Sequence, residues 1–126
     1  KVTKKEGDRR AYKQINKAKK NRNNGMVYVF KLNQRYDIDG GVAYNHARLI
    51  NHSCNPNCEV EINNNQIWIS TIKNIKKNAE LTYNYGYSYD ADYVDHVCKC
   101  GSCKCVGYIL DEDHWSKLKG KKKINP

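Results

Sequence analysis

The chain reads as a small, mainly β domain with a little helix, its later part held together by metal rather than by a large apolar core. Three observations predict this. Short β-branched and aromatic runs alternate with Asn- and Gly-rich breaks through the middle of the chain, the pattern of short strands and turns. Only one segment, near the start, carries helical spacing. Four of the six cysteines fall within Cys98–Cys105, a density that fits a metal site better than a disulfide framework when no secretory segment is present.

Taken in order, Thr3-Lys4-Lys5-Glu6 has the form of a capping box, with Thr3 as N-cap and Glu6 three residues on. Ala11, Ile15 and Ala18 then recur at helical spacing on a charged segment, so a lightly packed helix is predicted from Lys4 to Lys20. Asn21–Gly25 breaks it. Val27–Leu32 is a β-branched and aromatic run and predicts a strand; Tyr36–Ile38 predicts a shorter one, closed by Asp39-Gly40-Gly41. Tyr44–Ile50 predicts a short helical turn. Cys58–Ile62 and Gln66–Ile72 flank Asn63-Asn64-Asn65, whose residues tolerate left-handed backbone, so a hairpin is expected there with Ile67 and Ile69 on one face. Leu81–Tyr85 predicts a further strand after the Lys77-Asn78 turn, and the remainder reads as loop apart from a short turn near Trp115.

At 126 residues the chain has room for one domain. No apolar run is long enough to span a bilayer, and no signal-peptide pattern is present. The net charge is +10, but it is unevenly placed. Lys1–Asn24 carries ten Lys/Arg and two acids, Lys117–Lys123 carries five lysines, and the body between them is mildly acidic. Basic ends of this kind are solvated helix and tail, or a contact for nucleic acid; an acidic body suits a basic peptide. Ten tyrosines stand against one phenylalanine, which favours a polar-edged pocket, since each phenol hydroxyl needs a partner.

The chemistry concentrates in two segments. Cys98-x-Cys100-x4-Cys105 supplies three thiols in eight residues, and structural zinc takes four ligands in a tetrahedron. Cys103 is a possible fourth but crowds one short loop; Cys54 is the easier fourth, from the octapeptide Asn51-His52-Ser53-Cys54-Asn55-Pro56-Asn57-Cys58. Four thiolates leave no open position for a catalytic water, so the metal is an organiser. Cys58 and Cys103 read as non-ligands. The octapeptide is too polar to fill a core and asks for a ligand of its own.

Arg48-Leu49-Ile50-Asn51-His52-Ser53-Cys54-x-Pro56-Asn57 resembles the Arg-Phe-x-Asn-His-Ser-Cys-x-Pro-Asn signature of SET-domain protein lysine methyltransferases. Glu80-Leu81-Thr82-Tyr83-Asn84-Tyr85 resembles their Glu-Leu-Thr-Tyr/Phe-Asp-Tyr motif, and Cys98-x-Cys100-x4-Cys105 looks like their post-SET motif. The resemblance implies a SET-like β-rich fold with a knot-like C-terminal segment and a zinc-bound post-SET loop. It divides the chain into a partial SET domain (residues 1–90), a post-SET zinc loop (91–110) and a basic tail (111–126). The Gly-x-Gly segment that opens such domains is not in this sequence, so the chain reads as the C-terminal part of the domain.

By residue, the resemblance implies that Asn51 and His52 line an S-adenosylmethionine pocket, with Asn51 toward the methionyl end and the backbone at His52 toward the adenine. Arg48 belongs to the same cofactor-binding motif and supports its loop. Tyr85 matches the tyrosine whose hydroxyl sits at the transferring methyl, and Tyr83 matches the position where the family varies between Tyr and Phe; both are catalytic candidates. Tyr28, Tyr83 and Tyr87 are expected along the substrate lysine channel, and Cys54, Cys98, Cys100 and Cys105 as the zinc ligands. A free lysine near pKa 10.4 is largely protonated at neutral pH, and a desolvating aromatic channel lowers that value. A hydroxyl at Tyr83 takes space beside the amine, which implies monomethylation.

Asn84 stands where the family has Asp, Leu49 where it has Phe, and Asn78 where Gly is common, a turn that Asn can also adopt. His46, His96 and His114 read as solvated. The expected function is S-adenosylmethionine-dependent lysine N-methylation of a histone or another basic protein tail. Cysteine usage favours a reducing intracellular compartment, the absence of a long apolar run argues against a membrane partner, and the resemblance implies a nuclear or chromatin setting. The alternative is a catalytically inactive zinc module that binds a peptide or nucleic acid.

Overall fold

A computed structural model describes residues 1–20 and 28–118 of the chain. Asn21–Gly25 and Val27, and the tail from residue 119 onward, lie outside the described residues. The chain forms two compact units, Lys1–Leu49 with Ile62–Trp68, and Ile50–Glu61 with Ile69–Pro126. Among the described residues, no helix is long and apolar enough to cross a membrane.

The first unit is a three-stranded antiparallel sheet with one helix on it. Strand β1 (Val2–Thr3) leads into helix α1 (Lys4–Lys20), and β2 (Val29–Lys31) and β3 (Tyr36–Asp39) complete the order β1-β3-β2. The helix begins as its sequence predicts: the Glu6 N–H donates to Thr3 Oγ1 at 3.3 Å. The Glu6 carboxylate does not return to the cap. It accepts instead from Arg9 and Arg10, which hold it well below the usual carboxylate range, at about 2. The β2–β3 turn is closed by Asn33, whose Oδ1 accepts the N–H groups of Arg35 and Tyr36.

The predicted stripe shares its face with polar residues that bond to the sheet. Ala11 and Ile15 are half-buried, as are Lys4, Arg10 and Gln14, and Gly7 is buried. Lys4 pairs with the buried Asp37 carboxylate of β3. Arg10 reaches Asp39 at 3.1 Å, and Gln14 donates to Asp39 while its carbonyl accepts the Tyr28 N–H at 2.8 Å. Gly7 is buried against Asp37, whose carboxylate a Cβ there would meet. Two inward acids on β3 thus select a polar docking stripe, which hydrophobic periodicity alone cannot reveal.

The second unit pairs two strands drawn from the two motifs. Strand β4 (Asn51–His52) lies parallel to β7 (Thr82–Tyr83), with Asn51 opposite Thr82 and His52 opposite Tyr83. The predicted strand Leu81–Tyr85 narrows to these two residues, and β4 was not expected. Between them in the chain runs the predicted hairpin β5 (Cys58–Asn63) and β6 (Gln66–Thr71), whose outer part, Ile62–Trp68, belongs to the first unit. Its two-residue turn places Asn64 and Asn65 at φ 49° and 59°, the left-handed pair that suits strand twist. Ile67 and Ile69 of β6 are half-buried while Trp68 between them is exposed. Asn78 adopts φ 68°, the turn geometry expected of it. The predicted turn at Tyr44–Ile50 is a 3-10 segment, His46–Leu49, in the first unit, with Leu49 exposed.

Among the described residues of the second unit, those buried are Ser53, Cys54, Cys58, Tyr83, Tyr93, Cys98, Gly107 and Leu110. Sulfur and phenol do what leucine and valine do in a larger core, which agrees with an organisation by metal. Two further 3-10 segments, Tyr93–Asp95 and Glu112–Leu118, cover residues read from sequence mostly as loop. The second is pinned by the Trp115 indole N–H, which donates to the Leu110 carbonyl at 3.1 Å.

Candidate functional site

The octapeptide is held against the Glu80–Tyr83 segment by its own asparagine. The Asn57 amide donates to the Glu80 carbonyl at 2.8 Å, and its Oδ1 accepts the Thr82 N–H at 2.9 Å. One residue on, the Ser53 N–H donates to the Tyr83 carbonyl. These bonds make the short parallel pair β4–β7 possible, since two residues of ladder alone are too few to hold it. Sequence reasoning treated Asn57 only as part of a signature; its role as the staple is visible only once the partner strand is known.

With the strands in register, His52, Tyr83, Tyr85 and Tyr87 come together. The Tyr85 ring lies 5.4 Å from His52, 4.8 Å from Tyr83 and 5.8 Å from Tyr87. The Tyr85 hydroxyl donates to the Ile50 carbonyl at 2.7 Å, so a backbone oxygen and a phenol oxygen share one point beside the octapeptide. Ile50 was not singled out in the sequence, because a backbone carbonyl leaves no mark on residue identity. Burial pushes the phenols of Tyr83 and Tyr87 up, Tyr83 further because Tyr85 and Tyr87 also oppose its ionisation. Tyr87 stacks edge-on against His96. His96 and His114 are half-buried in ring contacts rather than solvated, as His114 stacks on Tyr89.

Asn51 is exposed, and one of its two amide N–H groups donates to Glu80 at 2.7 Å. Its second N–H and its Oδ1 remain for a ligand. The Tyr85 hydroxyl oxygen and the Ile50 carbonyl, 2.7 Å apart, are acceptors of the kind that suits a cationic group such as the sulfonium of S-adenosylmethionine. Tyr28 and Arg48 belong to the first unit. Tyr28 is half-buried, and its carbonyl accepts the Gly40 N–H; Arg48 braces its own 3-10 turn by donating to the Asn45 carbonyl.

The sulfurs of Cys54, Cys98, Cys100 and Cys105 lie within 4.8 Å of one another. Zinc–thiolate bonds of ~2.3 Å set sulfurs ~3.8 Å apart on a tetrahedron; Cys54 Sγ is 3.7 Å from Cys98 Sγ and 4.0 Å from Cys105 Sγ. Positive φ at Gly101 (73°) and Gly107 (92°) folds the loop so that its three cysteines face one point. Burial pushes the Cys54 thiol up to about 11, and Cys98 higher still. Burial also raises Cys100, but N–H groups of Cys54 and Ser102 donating to it outweigh this and bring it down to about 6. Val106 and Gly107 direct N–H groups at Cys54 and Cys105. Backbone donors aimed at sulfur, in a pocket that opposes several negative charges without a cation, fit a divalent metal. Cys58 and the exposed Cys103 stand outside the cluster, with Cys58 donating to Asn57 Oδ1.

His52 connects the two halves of the site. Its Nδ1 accepts the Tyr85 N–H at 3.1 Å, and its Nε2 lies 3.5 Å from Cys54 Sγ. Burial pushes the imidazole down to about 4, so the ring is neutral at physiological pH.

The SET domain family model matches residues 1–86. The chain is 37% identical over 97 residues to histone-lysine N-methyltransferase set-2 of Caenorhabditis elegans, a match covering 74% of the chain and 6% of the relative. It is 36% identical over 90 residues to an H3 lysine-4 specific histone-lysine N-methyltransferase of Emericella nidulans, covering 68% and 7%. Histone-lysine N-methyltransferase 2D of Homo sapiens is 36% identical over 86 residues, covering 65% and 2%. The chain thus spans less than a tenth of the length of these relatives.

Proposed function

The chain belongs to the SET-domain family, and on that premise we propose that it serves a protein-lysine N-methyltransferase acting on a histone tail. The proposal includes zinc at Cys54, Cys98, Cys100 and Cys105, and a division into SET portion (1–90), metal loop (91–110) and basic tail (111–126). A single observation carries it. The β4–β7 pair sets the Tyr83-Tyr85-Tyr87 cluster against the octapeptide, with the Tyr85 hydroxyl at the Ile50 carbonyl. Relatives whose names specify H3 lysine-4 support a histone H3 tail as substrate, and hence a nuclear setting.

S-adenosylmethionine, when bound, would be held by Asn51 and the backbone at His52 and would supply a methyl on a sulfonium. The chain's own residues do the rest by positioning. The rings of Tyr83, Tyr85 and Tyr87 surround an incoming lysine with apolar faces and disfavour its charged form. Tyr85 keeps its oxygen at a fixed point by donating its proton to Ile50. Tyr83, buried and beside Tyr85, limits the room around the amine.

The test is methyl transfer to a histone H3 tail peptide by the zinc-loaded protein, read by mass spectrometry. Tyr85→Phe, which keeps the ring and removes the oxygen, should lower the rate by about 100-fold or more. Absence of both methyl transfer and calorimetric S-adenosylmethionine binding, with zinc in place, would rule out the enzyme reading.

A further inference from the structure

We propose that the His52 side chain is a positioning residue that ties the Tyr85 backbone to the metal cluster, rather than a group that serves a ligand. This rests on the zinc reading above. The Tyr85 N–H donates to Nδ1 at 3.1 Å, so that nitrogen carries no proton. In a neutral ring the proton then sits on Nε2, which is 3.5 Å from Cys54 Sγ and points its N–H at sulfur. Both ring nitrogens are thereby used inside the protein. The ring plane is fixed from a third side by the edge-on Tyr85 ring at 5.4 Å.

The bond from Nε2 is strongest when the sulfur is an ionised, metal-held thiolate. A metal ligand commonly receives such a hydrogen bond from its surroundings, which orients it; here the donor's other nitrogen grips the backbone of the tyrosine nearest the Ile50 carbonyl. The chain of contacts is Cys54 Sγ, His52 Nε2–H, His52 Nδ1 and Tyr85 N–H. Metal occupancy is therefore read out at the Tyr85 main chain, only two residues beyond the end of the β4–β7 ladder.

The first experiment uses unmodified sequence. Zinc is exchanged for NMR-active cadmium, and the His52 ring is examined by long-range nitrogen–proton correlation. The expected result is the Nε2–H tautomer, with scalar coupling from that proton through Cys54 to cadmium. An Nδ1–H tautomer, or an Nε2–H proton without coupling, overturns the inference. The second compares His52→Phe, which keeps a ring without nitrogens, with His52→Gln, which keeps an acceptor and a donor. Amide exchange at Tyr85 should be about fivefold or more faster in the Phe variant and recover in the Gln variant. Unchanged exchange in the Phe variant means that the ring only packs, and the inference falls. Uptake of neither ion overturns the metal reading itself and this inference with it; uptake of cadmium without coupling overturns this inference alone.

Discussion

Tyr83 is 3% exposed, with its ring 4.8 Å from Tyr85, so volume added or removed at its hydroxyl is felt directly by whatever lies beside the Tyr85 oxygen. If Tyr83 limits methylation, wild-type product is mainly monomethyl-lysine, and Tyr83→Phe raises the share of higher methylation by roughly tenfold. Mass spectrometry of products decides it; trimethylation by wild type, unchanged in the variant, removes that role. The same burial sets an alkaline limit. The raised phenols of Tyr83 and Tyr87 keep their protons in the folded state while the unfolded chain loses them near pH 10. The unfolded state then binds fewer protons, so the contribution to stability is complete below about pH 10 and declines as pH rises further. Phenolate absorbance should show these two rings titrating only on unfolding. The grouping of Tyr83 with Tyr85, and of the four cysteines, could be anticipated from side-chain type and spacing in the sequence. The Ile50 carbonyl and the Asn57 staple could not, because backbone atoms and strand partners are not written in residue identity.

The elements show the same split. Helix α1 follows its predicted bounds, because the Thr3 cap and the helical register are local properties of the chain. Its ion pairs with Asp37 and Asp39 across the sheet carry no such local signal. Gly7 tests this. By helix propensity, Gly7→Ala should stabilise by up to about 1 kcal/mol. The Asp37 carboxylate in the way of a new Cβ reverses the sign, and a net loss of roughly 1–3 kcal/mol is expected in denaturant melts. A stabilised variant would show that Asp37 moves aside freely. The hairpin was fully legible, since Asn64-Asn65 specifies its own turn and alternation specifies its face. Strand β4 was not, because a two-residue strand has no pattern of its own and exists only where Thr82–Tyr83 pairs with it.

Across the molecule, few of the described residues are buried, and among them Cys54, Cys58 and Cys98 stand where larger domains place aliphatic side chains. Structural zinc contributes roughly 10–16 kcal/mol in small domains, so its removal should abolish the ordered tyrosine signal in near-UV circular dichroism. Cys54→Ser should lower zinc affinity sharply, while Cys103→Ser should leave stoichiometry and affinity unchanged, both read by a chromogenic chelator. Loss of metal on replacing the exposed Cys103 instead would move the fourth ligand there. The sequence by itself determined which chemistry is present: a dense thiol set, a polar octapeptide, clustered tyrosines and one capped helix. These are properties of residue type and local spacing. Only the tertiary structure decided how they act together. The parallel β4–β7 pair brings distant motifs into register, the loop turns collect four sulfurs around one point, and His52 joins the sulfur cluster to Tyr85. Such contacts join residues tens of positions apart, and the chain pays their loop-closure entropy only when the whole unit folds, so no local signal announces them.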